Sequence, residues 1–113
     1  MPNASEVIGG VTFIVVRGDH LDASNADSFK AQTIPELGAT PNIVLDLREL
    51  RFVDSSGMGV LLSCLRHVQG QGGDLRLCGL TPQVQMLFEL VRMHRIFPIY
   101  KTREQAALSF GQS

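Results

Sequence analysis

The sequence predicts a single α/β domain whose mixed, mainly parallel sheet is flanked by about four helices. Short runs of branched apolar residues alternate along the chain with segments whose apolar residues recur every three or four positions, the pattern of strands alternating with amphipathic helices. The first two runs, Val7-Ile8 and residues 11–16, are separated only by Gly9-Gly10. That spacing signals a hairpin, because glycine supplies the positive φ that tight hairpin turns need. Behind the hairpin, strand–helix alternation favours parallel pairing through helical crossovers. A chain of 113 residues fits one domain and can bury one core without disulfides or metals.

Val11-Thr12-Phe13-Ile14-Val15-Val16 is nearly continuous in apolar and branched residues and reads as a central strand. It leaves through Arg17-Gly18-Asp19-His20-Leu21-Asp22. Ser24-Asn25-Ala26-Asp27 then offers a cap with an acid three places on, opening a helix with Ala26, Phe29 and Thr33 on its inner face. Pro35 ends or kinks that helix. The loop Gly38-Ala39-Thr40-Pro41 leads into Ile43-Val44-Leu45-Asp46-Leu47, a short buried strand. Met58, Leu61, Leu62, Leu65 and Val68 then recur at helical steps.

Gly70-Gln71-Gly72-Gly73 is a loop and not a phosphate cradle, since it precedes the strand Leu75-Arg76-Leu77-Cys78 and lacks the lysine and hydroxyl of a P-loop. Thr81-Pro82 opens the next helix with proline at the tolerated first position. Its stripe, Val84, Leu87, Phe88 and Val91, reads as core. Phe97-Pro98-Ile99-Tyr100 reads as a short strand that Pro98 confines to an edge. Thr102-Arg103-Glu104-Gln105 is a capping box before a terminal helix carrying Ala106, Ala107 and Phe110. Neither an internal repeat nor a linker divides the chain.

The apolar share of 44% is that of an ordinary folded domain, so disorder is not expected. A net charge of −1 without runs of like charge gives no basic surface for nucleic acid or anionic membrane. No apolar stretch approaches a membrane span, and Met1-Pro2-Asn3-Ala4-Ser5-Glu6 lacks the charged start and apolar centre of a signal peptide. A cytoplasmic protein is the expectation. Cys64 and Cys78 lie in apolar surroundings and read as small core residues with reduced thiols. His20, His67 and His94 have no ligand spacing with each other or with the cysteines, so neither a metal site nor another cofactor is expected.

Function is expected at Val53-Asp54-Ser55-Ser56-Gly57-Met58-Gly59, between a strand and the helix that follows. A helix start presents free backbone N–H groups and the positive end of the helix dipole, which suits a hydroxyl and, better, a phosphate. Serine before glycine at a helix start is also an ordinary N-cap, and these residues alone leave both readings open. Asp22 and Asp54 divide in the same way between ordinary cap or loop acids and members of a binding patch. Loops at the carboxyl ends of parallel strands gather on one edge, so the loop with Asp19, His20 and Asp22 should lie beside the loop with Asp54, Ser55 and Ser56. Hydrolase chemistry is not expected, because Asp54 stands where a nucleophile elbow has its first glycine and no triad is recognisable. A receiver-like reading with Asp46 or Asp54, Asp19, Asp22 and Lys101 fails in detail: the acids are not adjacent and too few strands and helices are present.

The segment Leu45-Asp46-Leu47-Arg48-Glu49-Leu50-Arg51-Phe52-Val53-Asp54-Ser55-Ser56-Gly57-Met58-Gly59-Val60-Leu61-Leu62 resembles the signature of STAS domains, and among them the bacterial anti-sigma factor antagonists. The resemblance extends to Leu21-Asp22 and to Leu77-Cys78-Gly79-Leu80 followed by a helix ending near His94, so it covers nearly the whole chain. His20 departs from it, standing where a glycine–acid pair is more usual. The resemblance implies a non-enzymatic STAS domain, residues 1–113, in which a partner kinase phosphorylates the second serine, Ser56. It implies a partner-binding patch of Asp22, Ser24, Asp54, Ser55, Ser56, Gly57 and Met58. The implied partners are a serine-kinase anti-sigma factor, which supplies ATP and Mg²⁺ and is drawn away from a sigma factor, and a serine phosphatase that resets the switch. STAS modules that serve transporters or lipid-trafficking complexes without phosphorylation are the alternative, against which the serine pair argues.

Overall fold

Gly9 and Gly10 take φ of 58° and 79° and close a hairpin between β1 (Ala4–Ile8) and β2 (Val11–Val15), which pair antiparallel from Ala4 opposite Val15 to Ile8 opposite Val11. Positive φ at both turn residues gives the turn the same twist as its strands. The computed structural model to which these elements belong describes residues 3–111, so Met1 and Pro2 of the N-terminal stretch lie outside the described residues. Along the chain follow β3 (His20–Leu21), α1 (Ala26–Thr33), β4 (Asn42–Asp46), β5 (Phe52–Val53), α2 (Ser55–Gly70), β6 (Asp74–Cys78), α3 (Pro82–Leu90), β7 (Ile99–Tyr100) and α4 (Arg103–Ser109).

The main sheet has the order β1-β2-β4-β6-β7, parallel throughout except for the opening hairpin. The α/β expectation is therefore met, and β2 is an interior strand as expected, paired with β1 on one side and β4 on the other. Period-two alternation splits the sheet residues between two cores. Ile14, Ile43, Leu45, Leu75 and Leu77 face α1, α2 and α3, whereas Val11, Phe13, Val44 and Cys78 face Ala106 of α4. Cys64 and Cys78 are both buried free thiols. Burial pushes their pKa values up to about 11 and about 12, which keeps them protonated and unreactive. No helix among the described residues is long and apolar enough to cross a membrane.

Four local expectations need correction. The cap of α1 is Asn25, without a side-chain cap bond, because Ser24 is drawn instead into a turn around Asp22. Helix α3 stops at Leu90 rather than near His94. Arg92 adopts the left-handed conformation at φ 61°, and a short 3-10 turn, Met93–Arg95, follows. Within α3 only Val84 and Phe88 are buried, Leu87 is half-buried, and Val91, expected in the core, is 59% exposed. The box before α4 is half formed: Thr102 Oγ1 accepts from the Gln105 N–H at 3.1 Å, but the Gln105 side chain takes the N–H of Lys101 instead of reaching back to Thr102.

Candidate functional site

Two strands of two residues each, too short to leave a periodic signal in the sequence, build the site. β3 and β5 pair in parallel as a separate small sheet, His20 opposite Phe52 and Leu21 opposite Val53. The pairing is extended by Arg51 N–H to Asp19 O at 2.7 Å and by Asp54 N–H to Leu21 O at 3.3 Å. Leu21, Leu50 and Val53 are buried beneath it. The two loops expected on one edge thus touch through their backbones.

Gly57 fixes how closely they approach. A Cβ at this position would lie 2.1 Å from Leu21 O, so the first turn of α2 can rest against β3 only with glycine here. The N-cap is Asp54, not a serine. Its Oδ1 accepts from the Gly57 N–H at 2.9 Å, and its Oδ2 accepts from the Ala23 N–H of the opposite loop at 3.1 Å. Ser55 and Ser56, the first two residues of α2, are both exposed. Capping is done by the residue before them, so their hydroxyls are free of that duty and stand at the positive end of a sixteen-residue helix.

The facing loop is held by its own side chains. Asp22 Oδ1 accepts from the N–H of Ser24 at 2.9 Å and from its hydroxyl at 2.5 Å. These bonds hold the carboxyl below the ordinary carboxylate range. Asn25 Oδ1 accepts from the Asp22 N–H and Asn25 Nδ2 donates to His20 O, both at 2.9 Å. The bond between Asp19 Oδ1 and His20 Nδ1, 2.9 Å, pushes the His20 pKa up and the Asp19 pKa down.

Of the residues expected in the patch, Asp22, Ser24, Asp54, Ser55 and Ser56 come together at this edge. Gly57 and Met58 are buried; Gly57 serves the packing, and Met58 forms part of the floor of a groove between α2 and α3. The sequence reading missed this groove, although a signal existed. The doublets Met86-Leu87 and Leu90-Val91 give α3 more apolar residues than one face can bury. Chemically the site presents an accessible hydroxyl on donor-rich backbone. The carboxylate nearest it in sequence, Asp54, has an N–H on each oxygen and is committed to structure.

A family model described as STAS domain matches residues 4–106. The anti-sigma F factor antagonist of Paenibacillus polymyxa is 31% identical over 99 residues, 86% of this chain and 84% of that one. An anti-sigma-factor antagonist (STAS) domain protein from Planctomyces limnophilus has a structure with TM-score 0.88 at 20% identity, covering 99% of this chain and 100% of that one. The anti-sigma factor antagonist SpoIIAA in its unphosphorylated form gives TM-score 0.66 at 20% identity, covering 98% of each chain.

Proposed function

Since the chain belongs to the STAS domain family, we propose that it is an anti-sigma factor antagonist that acts by binding and not by catalysis. On this reading it engages a serine-kinase anti-sigma factor in the cytoplasm, frees a sigma factor, and is switched off when the kinase phosphorylates Ser56. The observation that supports it most directly is the exposure of Ser56 at the second position of α2, with the cap already made by Asp54. The partner supplies ATP, Mg²⁺ and the catalytic base, this chain supplies the hydroxyl, and a serine phosphatase restores it.

Phosphorylation adds about −1.5 to −2 charges at one point. Backbone N–H groups and the dipole at the start of α2 accommodate that charge in the free domain. In a complex the same dianion is desolvated against partner groups, and a penalty of about 3 kcal/mol weakens binding more than a hundredfold. The test is a pull-down from native lysate with wild type and Ser56→Asp, followed by incubation of the captured anti-sigma factor with wild type and ATP. One acid-stable, hydroxylamine-stable phosphate on Ser56, absent in Ser56→Ala, is expected. A hydroxylamine-labile phosphate would place the chemistry on an aspartate instead.

A further inference from the structure

We propose that the anti-sigma factor is held by an apolar, acid-flanked segment seated in the groove between α2 and α3 and on the outer face of α3, while Ser56 decides only whether that docking persists. This rests on the function proposed above and adds the surface that supplies affinity. Of eight large apolar side chains left exposed among the described residues, four line two adjoining grooves here: Phe52, Met86, Leu90 and Val91. Leu90 is 73% and Met86 63% exposed. Contiguous apolar surface of this kind marks a protein-binding site.

The patch is recessed as well as apolar. A groove of about 360 Å³ runs between Ser55, Met58 and Leu62 of α2 and Leu87, Leu90 and Val91. A second, of about 450 Å³, lies between Phe52 and Met86, with Leu87 as the wall the two share. Large side chains of a partner can enter both, the arrangement of a helix laid in a groove. One wall of the first groove is the turn that carries Ser56, so a protein reaching that hydroxyl comes to lie over it.

Charge selects among occupants. Arg51 lines the second groove, and Arg92 stands between Val91 and Met93, which line the first; neither makes an ion pair among the described residues. The acids beside them are Glu89 on α3, bonded to Gln85 Nε2 at 3.1 Å, and Asp54 in the lining of the first groove, whose two oxygens each hold a backbone N–H. A rim of unpaired arginines fits an acidic surround, steers an acidic partner in, and repels a second copy laid symmetrically on the same face. Arg92 carries a further mark. It stands at φ 61° just after the helix end, where glycine is free of strain. Keeping arginine there costs the fold something and keeps a cation beside the groove.

Calorimetric and stopped-flow binding to the purified anti-sigma factor test this with Leu90→Asp, Arg92→Gly and Ser56→Asp. Leu90→Asp should weaken binding at least tenfold with an unchanged melt, since the side chain is largely in water. Arg92→Gly should raise the melting temperature yet slow association severalfold at low salt, a combination no purely structural role produces. Wild-type affinity for both, with Ser56→Asp still defective, would overturn the groove and leave the switch standing. Unimpaired binding by Ser56→Asp would instead sink the switch itself. Two further outcomes also overturn the proposal if kinase affinity is unaffected: wild type binding phosphatidylglycerol vesicles through Leu90, which makes the patch a membrane face, or a Leu90-dependent dimer in sedimentation, which makes it a self-interface.

Discussion

Asp54 reaches across the site to Ala23: its Oδ2 accepts the Ala23 N–H at 3.1 Å while its Oδ1 caps α2 through Gly57. One carboxylate therefore fixes both the start of the helix that carries Ser56 and the loop that carries Asp22. Removing it leaves two N–H donors to find water. Asp54→Ala should destabilise the domain by about 1–2 kcal/mol, the upper range of a lost cap, lowering the melt by roughly 5–10 °C. A loss under a degree in a thermal melt would show that the cap bond carries no weight.

Gly57 and Gly59 lie on the same helix and should respond oppositely to alanine. At Gly57 the added carbon meets Leu21 O at 2.1 Å and Val53 Cγ1 at 2.9 Å, whereas at Gly59 nothing lies within 4 Å. Backbone cannot move aside as a flexible side chain can, so Gly57→Ala should cost about 3 kcal/mol or more. Gly59→Ala should stabilise by up to about 1 kcal/mol through helix propensity. Denaturant melts of the pair check this, and equal effects of the two substitutions would mean α2 does not rest on β3.

The contrast between those glycines also marks what the sequence could tell. Elements with a strong period were readable: the Gly9-Gly10 hairpin, the inner face of α1 at Ala26, Phe29 and Thr33, and the parallel strands all form where expected. The small sheet was not, because two residues a strand, His20–Leu21 and Phe52–Val53, carry no alternation. Serine and aspartate are near-equal cap formers, so choosing Asp54 over the serines required knowing which residue bends away from the helix. Helical spacing puts Val91 inside, in one stripe with Val84, Leu87 and Phe88. Its exposure follows from where α3 lies, chiefly over β5 and the 3-10 turn after it, which spacing along one helix does not encode.

The Asp19–His20 pair gives a pH signature. The hydrogen bond from Asp19 raises the His20 pKa above its ordinary 6.5, and the same bond is the largest cause lowering Asp19 from 3.8. Charged His20 is thus favoured in the folded loop. The pairing is fully present below pH 6.5 at the histidine end and is lost as pH rises through the raised folded value. At the acid end it is lost as pH falls through the lowered value of Asp19. An NMR titration of the His20 ring should show a midpoint above 6.5 that falls in Asp19→Asn, where the largest cause of the rise is removed. A wild-type midpoint at or below that figure would mean the pair does not hold the loop.

The proposed switch can be separated from an effect on folding. Phosphorylation of Ser56 should abolish tight binding to the anti-sigma factor while leaving circular dichroism and the thermal melt nearly unchanged. The same charge meets opposite surroundings in the two processes. In the free domain Ser56 is exposed in the first turn of a helix capped by Asp54, and the dianion stays in water beside backbone donors, worth at most about 1 kcal/mol. In the complex it faces a partner whose docking segment, on the groove argument, is acidic, so desolvation and repulsion act together against association. Both quantities are measured on one phosphorylated sample by calorimetry and by melt. A melt lowered by about ten degrees, more than about 1–2 kcal/mol for a domain of this size, would show that the phosphate breaks the fold, and unchanged affinity would remove Ser56 from the switch.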